Sequence, residues 1–283
     1  MQIIHDSVTL REALDKHKRI AFVPTMGNLH EGHLNLVNLA KQHANCVVVS
    51  IFVNPLQFGP NEDLDRYPRT LDADCDQLEK LGVSIVYAPS VTDMYPGFDG
   101  KSLNQTITVT PPPIASELCG ASRPGHFAGV TTVVTKLFNI VQPNVAVFGK
   151  KDFQQLYIIR KLVNQLNFPI DIIAGETIRE QGGLAMSSRN GKFNDAEKKQ
   201  AVQLYLTLRQ MIESIKLNQL DFATIEKNAA KQLEKRGWIV DYMSIRSSAT
   251  LRAVSNKDVG SLVVLGAATL NGTRLIDNIE FLR

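Results

Sequence analysis

Residues 24–37 read PTMGNLHEGHLNLV. An apolar run, RIAFVP at 19–24, ends where this stretch begins, and a helical pattern starts where it closes, so the stretch marks a passage from strand to helix. Gly27, His30, Gly32 and His33 stand at that passage. Gly27 permits a tight turn, and the first N–H groups of the following helix, with the positive end of its dipole, offer a seat for phosphate. His30 and His33 lie three apart, hence on one face of the first turn, from which both can donate to a phosphate whose charge grows in a transition state. Gly32 between them leaves the approach open. A single histidine is more often a satisfied core or surface residue, and the pair in this setting competes with that reading.

The same alternation continues outward. CVVVSIFV, VSIVYAP, VAVFG and IDIIA are short, nearly continuous apolar runs, as strands buried on both faces of a parallel sheet present themselves. Between them lie helical patterns, the clearest being GVTTVVTKLFNIV at 129–141, whose Val130, Val133, Val134, Leu137, Phe138 and Val141 fall on one face. Strand and helix in alternation predict an α/β, Rossmann-like, doubly wound parallel sheet, with ligands beyond the carboxyl ends of its strands. TMGNLHEGH, NPLQF and GKKDFQQ each follow a predicted strand, so the fold gathers them into one crevice.

Past Gly175 the pattern changes. Asn194, with Glu197 three residues on, reads as a helix cap, a second helix runs from Asp221 to Gly237, and Asn271-Gly272 between two strand-like runs signals a two-residue hairpin. The expected division is residues 1–175, a nucleotide- and substrate-binding domain, and 176–283, a smaller C-terminal α+β domain with an antiparallel sheet that could close over a ligand as a lid.

Composition excludes several classes. A net charge of +3, from 31 basic and 28 acidic residues spread along the chain, does not argue for nucleic acid. Cys46, Cys75 and Cys119 lack metal-ligand spacing and are odd in number, which predicts buried, unpaired thiols in a reducing compartment. The N-terminal stretch has no apolar signal core, and no run reaches a membrane span, so the expectation is a cytoplasmic protein with no membrane partner.

H-x-G-H after a strand resembles the signature of the nucleotidyltransferase superfamily. SIFVNPLQF, YPRT, RPGHFAGVTTVVTKLFN, FGKKDFQQ and GLAMSSRN then occur in the order and at the approximate separations of the pantothenate synthetase (pantoate–β-alanine ligase) family. The likeness runs from Val23 to Asn190 and, more weakly, to the closing RLIDN. It implies the two-domain fold above, a homodimer formed through the N-terminal domains, and a reaction in which pantoate and ATP give pantoyl adenylate and pyrophosphate before β-alanine displaces AMP.

For single residues the resemblance implies His33, His30 and Lys151 as the catalytic groups. ATP would be held by Met26, Gly27, His30, Gly32, His33, Gly149, Lys151, Asp152, Ile178, Met186, Ser187, Ser188 and Arg189. Asp152 suits vicinal ribose hydroxyls. Ser187, Ser188 and the planar fork of Arg189 suit phosphate oxygens. Gln57 and Gln155 would hold pantoate, since amides bond hydroxyl and carboxylate without overbinding the attacking group. Pro24, Met26 and Phe58 could wall its two methyl groups, with Arg123 and His126 shaping the pocket. Lys150 reads as exposed, and Asp72 and Asp74 as surface acids of a helix. Mg²⁺ would come with the triphosphate, and no protein metal ligand is assigned. Gly182 stands where the family commonly has Asp. The alternatives are a nucleotidylyltransferase acting on a phosphate ester, a tRNA-charging relative, which the near-neutral charge opposes, and a silent nucleotide-binding module.

Overall fold

The computed structural model describes residues 1–59, 64–65, 67–218 and 220–283. In chain order its elements are β1 (Gln2–Ile4), α1 (Ser7–Leu14), β2 (Ile20–Thr25), α2 (Glu31–Lys41), β3 (Cys46–Ile51), α3 (Leu71–Lys80), β4 (Ile85–Tyr87), α4 (Val91–Met94), α5 (Cys119–Ser122), α6 (His126–Val141), β5 (Val145–Gly149), α7 (Phe153–Gln165) and β6 (Asp171–Gly175). There follow α8 (Asp195–Ala201), α9 (Gln203–Leu217), α10 (Phe222–Glu234), β7 (Ile239–Ser247), β8 (Ser261–Leu270) and β9 (Thr273–Leu282).

The first six strands form one parallel sheet in the order β1-β4-β3-β2-β5-β6. Its interior strands are apolar on both faces because both are covered. One layer packs Phe22, Val48 and Ala146 against α6 and α7, and the other packs Ala21, Val47 and Val145 against α2 and α3. From β2 the chain steps outward through β3 to β4, then returns to lay β5 on the other side of β2. The order therefore reverses between β2 and β5, where open α/β sheets open a crevice.

The backbone widens that crevice. β2 pairs with β3 from Ile20 to Thr25, but with β5 only at Ala21 and Phe22. Two residues on stands Pro24, which has no N–H for a ladder, and the strands part.

The C-terminal portion has its own core. β7, β8 and β9 form an antiparallel sheet, and Leu262, Val264, Ala268 and Leu270 on one face of β8 pack with residues of α9 and α10 such as Leu208, Met211, Ile225 and Leu233. The other face, through Val263 and Leu265, packs on Phe153 and Leu251 with Tyr157 alongside, so this sheet lies against the start of α7. The expected cap is present: Asn194 Oδ1 accepts from Glu197 N and Glu197 Oε2 from Asn194 N. Asn271 and Gly272, both at positive φ, turn β8 into β9 as anticipated.

The three thiols are free, with Cys46 and Cys75 buried as expected. Cys119 is only half-buried and lies 3.1 Å from the Tyr242 hydroxyl.

Candidate active site

The loop after β2 folds back on the helix it introduces. His30 Nδ1 accepts from Gly32 N (3.1 Å), and His33 Nδ1 accepts from His30 N (3.3 Å), so the two imidazoles form a reciprocal capping box. The expected seat of open N–H groups is thus partly occupied by the histidines themselves. Gly32 also has another purpose than access. A Cβ there would lie 2.8 Å from the His30 ring, so glycine is what allows that ring to lie across the helix end.

This arrangement fixes the protonation of both rings. Burial, with Lys151 nearby, holds the His30 pKa down from 6.5 to about 4. Burial, then His30 and Lys151, holds His33 down to about 3. Both are neutral near pH 7, and because each Nδ1 accepts from a backbone N–H, each proton sits on Nε2. The ring centroids lie 4.1 Å apart with the planes tilted by 33°, so the cavity faces two adjacent neutral donors.

Asp74 anchors the loop from behind. It is 1% exposed, and its carboxylate accepts from Asn28 N (2.9 Å), Leu29 N (2.8 Å) and Thr70 Oγ1 (3.1 Å). The expectation of a surface acid fails because α3 packs that face against the β2 loop. Asp72 carries no such bonds. Nothing local in LDADCDQ distinguishes the two acids, since the two backbone N–H groups that bury Asp74 lie more than forty residues away.

Gln57 is likewise set by a residue the sequence reading passed over. Asn54 Nδ2 donates to Gln57 Oε1 (3.1 Å) and to Gly129 O (3.3 Å), while Asn54 Oδ1 accepts from Leu56 N and Tyr95 Oη. With its oxygen occupied, Gln57 presents its amide nitrogen toward Met26, 3.1 Å from the sulfur. Gly129 lets α6 press on this turn, for a Cβ there would come 2.3 Å from Leu56 O. His126 Nδ1 meets Gln57 O at 2.9 Å, and its Nε2 meets Arg123.

Around these groups lies a cavity of about 240 Å³ lined by Pro24, Met26, His30, Gly32, His33, Gln57, Phe58, Arg123, His126, Gly149, Lys151, Asp152, Gln155, Ile178, Met186 and Arg189, among others. A second space of about 560 Å³ adjoins it between the two sheets, sharing Arg123, Lys151, Asp152 and Arg189 and adding Ser187 and Lys192. The crevice is lined by apolar Phe52, Phe58, Val130, Val133 and Val134 on the sheet side and, where the two spaces meet, by the cations Arg123, Lys151 and Arg189.

Most of the predicted site residues therefore converge. Two do not line either space: Gly27, at φ +80°, shapes the turn, and Ser188 offers its carbonyl to Asn28 Nδ2 (3.3 Å), tying the two signature loops together. Ser187 Oγ accepts from Arg189 N, which leaves its hydroxyl proton to donate. Lys150 is not exposed as expected. Its ammonium joins Glu176 (2.6 Å) and Glu280 (2.9 Å), and the side chain is 25% exposed. The Gly182-Gly183 departure lies in a turn closed by Gly183 N to Glu180 O, with Gly183 O accepting from Arg179.

The sequence model described as Pantoate-beta-alanine ligase matches residues 2–280. A pantothenate synthetase of Methylobacillus flagellatus is 60% identical, with 99% of each chain covered, and one of Nitrosomonas europaea is 53% identical over 98% of each. The crystal structure of pantothenate synthetase from Thermus thermophilus superposes with a TM-score of 0.89 at 40% identity over 99% of both chains. That of the Francisella tularensis pantoate-beta-alanine ligase, complexed with beta-gamma ATP and beta-alanine, gives 0.81 at 35% identity over 100% of this chain and 97% of the other.

Proposed function

The chain belongs to the pantoate-beta-alanine ligase family, and we infer that it joins (R)-pantoate to β-alanine, using ATP, through a pantoyl-adenylate intermediate. A pantoate carboxylate oxygen bonds to the α-phosphorus as the bond to the β-phosphate breaks, releasing pyrophosphate. The β-alanine nitrogen then bonds to the acyl carbon, AMP departs, and the amine proton passes to solvent. The enzyme is an ATP-dependent acid–amine ligase.

A carboxylate is a weak nucleophile, so the work falls to positioning and to neutralising charge. In the proposed assignment pantoate occupies the inner cavity, with its methyl groups on the apolar wall and its polar end on Gln57 and Gln155. ATP lies across the rim, its ribose near Asp152 and its adenine edge near Ile178 and Met186, with Ser187 and Arg189 toward the triphosphate. The inner phosphate falls between Lys151 and the imidazoles. The observation that carries this reading is the pair of neutral histidines, whose only available protons are on Nε2. Such rings are suited to donate hydrogen bonds as negative charge develops on phosphate oxygens, and ill suited to deliver a proton.

Among the described residues no group of three His, Cys, Asp or Glu gathers to hold a metal, and the Asp74 oxygens already accept three hydrogen bonds. Mg²⁺ is proposed to arrive on the triphosphate, where it would neutralise charge on the departing pyrophosphate. A division at about residue 175 is supported by the separate C-terminal core. A cytoplasmic homodimer is proposed as well. Free thiols agree with a reducing compartment, and no helix among the described residues is long and apolar enough to cross a membrane. Sedimentation at twice the chain mass tests the dimer.

The decisive assay is exchange of labelled pyrophosphate into ATP. It is expected only with pantoate present, followed by AMP release when β-alanine is added. Exchange independent of pantoate, or a nucleotide retained on the product, would replace this reading with the nucleotidylyltransferase one.

A further inference from the structure

One dipeptide of the C-terminal sheet is bonded to both loops that carry the proposed phosphate contacts. Asn278 on β9 donates through Nδ2 to the carbonyls of Lys150 and Lys151, at 2.9 Å each. Its neighbour Asp277 accepts both guanidinium nitrogens of Arg179, at 2.6 and 2.9 Å, and also Asn278 N at 2.8 Å. Arg179 opens the loop that ends in Ser187–Arg189, and that loop is closed on itself by Met186 N to Ile178 O. Both Asp277 and Asn278 are buried.

We propose that Asn278, seated by Asp277, is a positioning residue for adenylation, holding the Lys150–Asp152 turn from the C-terminal sheet so that Lys151 is aimed at the inner phosphate. This rests on the function proposed above and assigns a part of the catalysis to a residue that touches no substrate. The physical argument is geometric. A single amide that donates to two consecutive carbonyls fixes the orientation of the peptide plane between them, and with it the direction in which the Lys151 side chain leaves the backbone. Residues 278 and 280 share a face of β9, and Glu280 holds the Lys150 ammonium, so that lysine is drawn to the strand and away from the site while its neighbour is left to point into it. The bidentate Arg179–Asp277 pair brings the serine–arginine loop to the same strand. The two cationic loops thus share a common reference on an element of the other sheet.

The test uses the full-length enzyme with Asn278→Ala and the isosteric Asn278→Asp, which removes the donors without changing volume. The pantoate-dependent exchange rate at saturation is expected to fall about tenfold in both, because misplacement by a fraction of an ångström is enough to cost that much. The pantoate KM should stay within about twofold, since the Gln57 network is untouched. Amide hydrogen exchange should rise in peptides covering the Lys150–Asp152 turn and remain unchanged in those covering 24–37. An unaltered rate, an effect mainly on pantoate KM, faster amide exchange throughout the chain, or failure of both variants to fold would each overturn the proposal. If the wild type itself shows no pantoate-dependent exchange, the functional reading fails, while the amide-exchange comparison still decides whether Asn278 holds the loop.

Discussion

The loop after β2 and the loop after β5 meet at one crevice but are held in opposite ways. The first is secured inside its own layer: the histidines cap α2 and each other, and Asp74 grips Asn28 and Leu29 from α3. The second, which carries Lys151, takes its side-chain support from β9, across the boundary between the sheets. The difference teaches that the neutral donors are pre-formed chiefly within the parallel-sheet layer, whereas the cation is set by an element that belongs to the other core. A donor that must not be protonated profits from a dry, fixed seat. A cation that must meet and release a polyphosphate can be governed from outside.

The largest expected effect breaks the pre-formed half. His33→Ala should lower the adenylation rate by about 100-fold or more, as loss of a preorganised donor does, with far-UV circular dichroism unchanged. Single-turnover formation of AMP checks it, and a rate within twofold of the wild type would remove His33 from the mechanism.

A smaller effect is expected from Asp74→Asn. The substitution places an amide where three donors converge, and leaving buried N–H groups unmet costs about 1–3 kcal/mol. Urea unfolding should show that loss, with the exchange rate falling less than in His33→Ala. An exchange rate lowered as far as in His33→Ala, with unchanged stability, would mean that Asp74 acts on the substrate and not through the loop.

The gentlest test is pH. Both histidines have folded pKa values, about 4 and about 3, below the ordinary 6.5. Between those values the unfolded chain binds protons that the folded chain refuses, so their contribution is fully present above about pH 6.5 and is lost as pH falls toward 4 and then 3. The double variant His30→Asn with His33→Gln keeps a capping box without the titrating rings. Its unfolding midpoint should fall less than the wild type's between pH 7 and 5, and equal slopes would contradict the shifted values.

Much of the N-terminal half was legible because its signals are local. Apolar runs gave the strands, and the two histidines at a strand-to-helix passage gave the site. Turn chemistry at Asn271-Gly272 and the Asn194–Glu197 box were readable for the same reason. Most of what escaped depends on partners distant in sequence. Asp74 looks like any acid on an acidic helix until α3 is laid against the β2 loop. Lys150 looks like the more exposed of two lysines until Glu176 and Glu280 are brought to it. Asn54 and Asn278 act through hydrogen bonds to groups that no periodicity reports. Gly32 was legible as a glycine but not in its purpose, because the ring that needs its missing Cβ belongs to a residue two positions away, folded back upon it.

The parting of β2 from β5 beyond Phe22 has a consequence for how this scaffold can be altered. The opening is made by main chain and by a proline that cannot extend a ladder, so it does not rely on the bulk of the side chains that happen to furnish it. Trimming or enlarging Met26 or Phe58 would change which acid fits, and the gap would still be there to receive it.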